Sequence, residues 1–179
     1  MGGDRQRKSN RILGADSMIF VTIGSMFPFD RLVRAVDRWA GHANYSAVSM
    51  QIGAGTYHPK NAKWVRTLPP DEFSNAIRNC DLMVAHLGMG SIISAMQAQK
   101  PVILLPRKMQ LGEATSDHQL HGMEWLRGRP GVWIAEDESQ MEELLGSFVD
   151  GKLNQAIEAA SQYASVEMIE KVKKFVHAI

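Results

Sequence analysis

Residues 85–101 read AHLGMGSIISAMQAQKP. An apolar run ends at Ala85-His86, the chain passes through Gly88, Met89, Gly90 and Ser91, and a helical pattern follows until Pro101 stops it. A strand that ends in a glycine loop and turns directly into a helix makes an anion site. The first-turn N–H groups have no partners inside the helix, and the helix dipole adds partial positive charge beside them. Gly88 and Gly90 let main chain come close to a phosphate, and the Ser91 hydroxyl adds a donor or a cap. The same residues suit a tight strand-to-helix turn that holds no ligand, so the loop by itself leaves both readings open.

The two commonest nucleotide fingerprints do not describe this loop. The dinucleotide motif needs a third glycine, where Ile93 stands, and an acidic residue near the end of the next strand, where Leu104, Leu105 and Pro106 stand. No Gly-Lys-Ser/Thr follows, which excludes a P-loop. Two further stretches could join the loop on one edge of a sheet. Gly24-Ser25 ends the first apolar run, and Arg107, Lys108 and the GEATSDHQ segment follow the run that ends at Leu105. Arg107 and Lys108 could neutralise phosphate charge or simply be solvated. Within the segment, Glu113, Asp117, His118 and Gln119 carry groups that accept, donate or titrate. His118 and His121 have a spacing that suits a metal, but no third ligand is apparent, and no metal site is expected.

These residues need a scaffold, and the pattern around them supplies one. The β-branched and aromatic run Ile19–Ile23 reads as a buried strand, and Phe29–Ala40 has helical spacing at Leu32, Val33, Val36 and Trp39. Strands are expected over Ser46–Ile52, Lys63–Arg66 (an edge), Leu82–Ala85, Val102–Leu105 and Val132–Ile134. Helices are expected from the Pro69-Pro70-Asp71-Glu72 start to about Asn79, over Ser91–Gln99, from about Asp117, over Glu138–Val149 and over Leu153–Ala178. The alternation predicts an α/β fold, an open parallel sheet covered by helices on both faces. The last segment carries one apolar stripe through Leu153, Ile157, Ala160, Ala164, Met168, Val172 and Phe175, which suits packing on the domain's own core or docking on a partner.

The chain has 179 residues, enough for one domain with a substantial core. Residues 1–17 read as a polar, disordered leader and 18–179 as a single domain. The net charge of +1 gives no global field to recruit nucleic acid or a membrane surface. No apolar run approaches the ~18 residues of a membrane span. Cys80 is the only cysteine, which rules out a disulfide within the chain and fits a reducing cytoplasm; its apolar neighbours mark it as core.

Three stretches, taken in order, resemble one known family: VTIGSMFPFDRLVRAVD at 21–37, CDLMVAHLGMGSIISAMQAQKPVILLPR at 80–107 and GEATSDHQLHGMEWL at 112–126. They resemble the C-terminal, donor-binding domain of glycosyltransferase family 28. Within it they are most similar to the small stand-alone subunits of exopolysaccharide synthesis and of the dolichol-linked GlcNAc transferase. The resemblance covers Met18 to Ile179. It implies the Rossmann-like, donor-binding half of a GT-B fold that is split over two polypeptides. This half would bind a UDP-sugar as donor substrate, with no other cofactor and no metal. A membrane-anchored second subunit would hold a lipid-linked sugar acceptor, keeping this chain cytoplasmic and peripheral at the inner face of the membrane. Transfer would be inverting, by a hexosyltransferase active as a heteromer.

Carried over by position, the resemblance implies that Gly88, Gly90 and Ser91, with Met89 between them, are the glycine loop that meets the diphosphate, and that Gly24 and Ser25 are the first strand-end loop. It implies that Asp117 and Gln119, with His118, contact the donor sugar, and that uridine lies along residues 66–70 and the start of the next helix. His86, His118 and Glu113 are the candidates for a general base. Ser94 stands where the family commonly carries a glutamate that grips the ribose, Met26 stands where relatives often have a histidine, and Ala114 replaces a frequent histidine after Gly-Glu. These departures keep open an alternative, a non-catalytic nucleotide-sugar-binding or regulatory subunit. An unrelated phosphate-binding α/β enzyme is the third reading.

Overall fold

The computed structural model describes residues 17–115, 126–153 and 155–157. Six parallel strands form one sheet: β1 (Ile19–Thr22), β2 (Val48–Gln51), β3 (Lys63–Val65), β4 (Leu82–His86), β5 (Val102–Leu105) and β6 (Val132–Ile134). Their order is β3-β2-β1-β4-β5-β6. The chain winds outward from β1 in one direction and from β4 in the other, so neighbouring connections diverge at the β1/β4 seam. In open sheets of this kind, that seam opens a crevice beyond the carboxyl ends of the strands.

The strands form because their apolar residues are buried on both faces. In β1, Ile19 and Val21 enter one core and Phe20 the other; in β4, Leu82 and Val84 enter the first, Met83 and Ala85 the second. Full burial of each Ile, Val, Leu, Phe or Met side chain among them contributes about 1.5–3 kcal/mol relative to exposure. Helices α1 (Asp30–His42) and α4 (Glu138–Val149) cover the first face with Leu32, Val36, Met141 and Leu145. Helices α2 (Pro70–Asn79) and α3 (Met89–Ala98) cover the second with Ile77, Ile92 and Ala95. The expected parallel sheet with helices on both faces is therefore the observed one.

The register aligns the strand ends that build the crevice. Thr22 lies beside Gln51 on one side and Ala85 on the other, and His86 lies beside Leu105. Two expectations are corrected. Helix α3 begins at Met89, not Ser91, because Gly88 adopts extended backbone as the N-cap and the amide of Ile92 donates to its carbonyl at 3.1 Å. The chain is not helical at Leu153 or at 155–157. Helix α4 ends in a two-bond turn: the amide of Gly151 donates to Phe148 O and that of Lys152 to Ser147 O, both at 2.9 Å, with Gly151 at φ +74°. Beyond it the chain crosses so near Gly131 that a Cβ there would strike the backbone of Ile157, whose own side chain is buried in the second core. The rest of the expected last helix, and the leader at 1–16, lie outside the described residues.

Candidate functional site

A cleft of about 810 Å³ lies at the β1/β4 seam, beyond the carboxyl ends of the strands. Its floor is built from strand ends. The Thr22 hydroxyl donates to Gln51 Oε1 at 2.7 Å, and Gln51 Nε2 donates to the carbonyls of Arg66 at 3.1 Å and Gly24 at 3.3 Å. One buried amide thus ties the loop after β1 to the loop after β3. One part of the cleft is apolar, lined by Leu68, Pro70 and Phe73, and Gly53 and Ala54 of the loop after β2 also line the cleft. The other end is polar and main-chain rich, with Gly24, Ser25, Gly90, Ser91 and Ser94.

Helix α3 points its first turn at the polar end. It carries neither a side-chain cap nor an acidic residue in that turn. Helix α4 differs: Asp137 caps it by accepting from the amide of Gln140 at 2.9 Å. The first-turn amides of α3 are thus left for a ligand, and at Gly90 an added Cβ would meet nothing within 4 Å, so the approach is open. The glycines have different reasons. Gly24 sits at φ +76°, which suits glycine, and an added Cβ would lie 2.7 Å from His86 Cε1. Gly88 has ordinary extended backbone, but a Cβ there would collide with His86 Nε2. Both glycines make room for the His86 ring, which stands between them.

His86 is half-buried and lines the cleft, with Ser91 Oγ 3.3 Å from its Nδ1. Burial, and secondarily the Arg107 cation, push its pKa down to about 4. The imidazole is neutral at pH 7, which corrects the expectation that it titrates usefully there. A base this weak takes up a proton poorly near neutrality, while the neutral ring can still donate one hydrogen bond.

Glu113 is not placed as a base either. Its side chain is nearly buried; Oε1 accepts from Arg31 Nε at 2.8 Å, and Oε2 accepts from Arg31 Nη2 and from the amide of Lys108, both at 2.9 Å. The carboxylate is spent on holding the loop after β5 to α1, and the cleft is lined by its neighbours Ala114 and Thr115 instead. Arg107 lines the cleft yet is only 3% exposed. Its Nη1 donates to the carbonyls of Pro28 at 2.8 Å and Glu113 at 3.0 Å, and its Nη2 to those of Ile23 at 2.7 Å and Phe27 at 2.8 Å. All four terminal hydrogens are committed, which corrects the expectation of a loop cation that meets phosphate directly.

Of the other expected residues, the structure brings Gly24, Ser25, Gly90, Ser91 and Ser94 to the cleft but not Gly88 or Met89, and the Ser94 hydroxyl donates to Gly90 O at 2.8 Å. Asp117, His118 and Gln119 lie outside the described residues. Sequence reasoning missed Thr22, Gln51 and Phe73. The first two had a signal: each is a polar residue closing an apolar strand. Among the described residues no group of histidine, cysteine, aspartate and glutamate is arranged to hold a metal ion, and no helix is long and apolar enough to cross a membrane.

A doubly wound parallel sheet with an uncapped helix and a half-apolar crevice at its switch point is a ligand-binding domain of the Rossmann-like class. The sequence places it more narrowly. Residues 18–176 match the glycosyltransferase family 28 C-terminal domain, and the chain belongs to that family. A 52-residue stretch is 40% identical to the UDP-N-acetylglucosamine--N-acetylmuramyl-(pentapeptide) pyrophosphoryl-undecaprenol N-acetylglucosamine transferase of Prochlorococcus marinus (strain AS9601); the match spans 28% of this chain and 14% of that protein. Among solved structures, the NMR solution structure of ALG13 is similar with a TM-score of 0.55 at 18% identity, covering 78% of this chain and 89% of that one. The glycotransferase of kitacinnamycin gives a TM-score of 0.52 at 18% identity, covering 98% of this chain and 42% of that one. The shared fold is one half of a GT-B glycosyltransferase.

Proposed function

We propose that this chain is the donor-binding subunit of a UDP-sugar-dependent glycosyltransferase. The observation that carries the proposal is the two-ended cleft at the sheet's switch point. Its apolar end, with Leu68, Pro70 and Phe73, suits a nucleobase, and its polar end, at the open first turn of α3, suits a diphosphate. The name of the Prochlorococcus relative supports a UDP-sugar donor and a lipid-diphosphate-linked acceptor. The chain spans less than half of the kitacinnamycin glycotransferase; in this proposal the acceptor is held by a second half, read as a membrane-anchored subunit. The chain would then work at the cytoplasmic face of the membrane without crossing it.

In this reading the residues bind and orient rather than exchange protons. The α3 amides and the Ser91 hydroxyl stabilise negative charge as the sugar–phosphate bond breaks with inversion at the sugar, a case of preorganised dipoles. Gln51 keeps the two ends of the cleft at a fixed separation. The alternative, a nucleotide-sugar-binding subunit without catalysis of its own, is favoured by two observations: His86 is a weak base, and Glu113 is locked in an ion pair. Titration with UDP, UDP-GlcNAc, UDP-glucuronate and UDP-galactose tests the donor site, with binding of UDP and preference for one sugar expected. Absence of UDP binding contradicts both readings. Binding without transfer, in the presence of a co-purified membrane subunit and lipid acceptor, supports the alternative.

A further inference from the structure

We infer that Arg107 is a positioning residue for the diphosphate, which it serves without touching. This deepens the nucleotide-binding reading and rests on it. The guanidinium gathers three carbonyls of one loop, Ile23, Phe27 and Pro28, and one carbonyl of the loop after β5, Glu113. The ring of Phe29 lies 4.7 Å from its central carbon and closes the remaining side. A fourth carbonyl of the first loop, that of Gly24, is taken by Gln51.

The consequence follows from the planar trans peptide, in which the N–H of one residue points away from the carbonyl before it. Gln51 holds the Gly24 carbonyl, so the Ser25 amide opposite it is turned away from Gln51, while Arg107 pins the loop on both sides of that peptide, at Ile23 and at Phe27 and Pro28. Among the described residues, the amides of Ser25 and Met26 have no acceptor. Gly24 adopts the left-handed backbone, φ +76°, that anion-binding nests use. The nest lies on the same cleft as the open first turn of α3. One diphosphate has two phosphoryl groups, and the cleft offers two main-chain donor sites.

The cation also contributes its charge. Arg107 is buried, and its field reaches His86 on the cleft wall, whose protonation it opposes. Glu113 offsets part of that charge but is held by Arg31 and the Lys108 amide. Arg107 therefore shapes the β1 loop and biases the polar end of the cleft toward anions, while the apolar end owes it nothing.

The test compares UDP, uridine and inorganic pyrophosphate on the wild type, Arg107→Lys and Arg107→Met, by titration with NMR detection. UDP affinity should fall in that order, by about tenfold or more in Arg107→Met, while uridine affinity stays within about twofold. Arg107→Lys keeps the charge and loses the fork, so it should fall between; it also carries the test if Arg107→Met fails to fold. The His86 pKa should rise in Arg107→Met and not in Arg107→Lys. Equal losses for UDP and uridine would mean a merely structural clamp and overturn the inference, as would unchanged UDP binding. If the wild type binds pyrophosphate but not UDP, the nucleotide reading fails and the same ranking is scored on pyrophosphate. If it binds neither, both fall.

Discussion

Two loops at the same end of the sheet are held down by different groups. In the loop after β2, residues 53–61, the Arg66 guanidinium takes the carbonyls of Gly53 and Gly55, each at 3.1 Å, but the stretch 56–61 is held by acids of α1. Asp30 accepts from the amides of Thr56 and Tyr57 and from the Thr56 hydroxyl, at 2.6–3.2 Å. Asp37, 1% exposed, accepts from the Tyr57 hydroxyl at 2.6 Å and from the amides of Lys60 at 3.0 Å and Asn61 at 2.7 Å. The loop after β1, residues 23–28, is held by the Arg107 cation through its carbonyls. A carboxylate uses up a loop's N–H groups, and a guanidinium leaves them available. The acids thus use up N–H groups at 56–61, whereas the loop at 23–28 keeps those of Ser25 and Met26 available to an anion.

That contrast can be broken from either side. The largest expected effect belongs to Glu113→Ala, which takes from Arg31 its two-bond partner, leaves it with Glu138 and the Pro106 carbonyl, and strands the Lys108 amide. Loss of one partner from a buried ion pair should cost roughly 4 kcal/mol, read from urea unfolding, and loosen the loop after β5. Asp37→Ala should come next. It strands the amides of Lys60 and Asn61 and the Tyr57 hydroxyl, at a cost of roughly 3 kcal/mol, but UDP affinity of the folded protein should not change. A loss of UDP binding in Asp37→Ala would mean that the two loops are not the separate devices described.

His86 gives the next effect. Its folded pKa of about 4 lies below the ordinary value of 6.5, so the unfolded chain binds the extra proton between those pH values. Stability from the neutral ring is complete above pH 6.5 and is lost as pH falls toward 4, by roughly 2–3 kcal/mol after allowing for its partial exposure. The stability difference between wild type and His86→Gln should therefore narrow on acidification and be flat from pH 7 to 8. The smallest effect is Ser94→Glu, in which a carboxylate replaces a hydroxyl now bonded to Gly90 O. A ribose beside it should raise UDP affinity a few-fold.

Much of this architecture was legible in the sequence because burial writes itself into composition. The strands at 102–105 and 132–134 and the helix at 138–149 fall where expected, since each is an apolar run or stripe between breakers. Asp37 was legible in principle too. It stands four residues after Val33 and three before Ala40, inside the apolar stripe of α1. The roles of Glu113 and Arg107 were not. Both depend on which loops meet at the sheet's edge, and a side chain's partners 80 residues away leave no local pattern. Gly88 is a different case: the sequence suggests close approach to a phosphate, whereas the structure shows it making room for the ring of His86, two residues earlier, and that collision depends on the rotamer of the ring.

The central claim is that a nucleoside diphosphate lies between the first turn of α3 and the loop after β1. Backbone amide shifts during a UDP titration test it most directly. The account predicts large shifts at Ser25, Met26, Gly90 and Ser91, smaller ones at Leu68 and Phe73, and none at Thr56, Lys60 or Asn61. Shifts centred on residues 56–61, or no response to UDP at millimolar concentration, would contradict it.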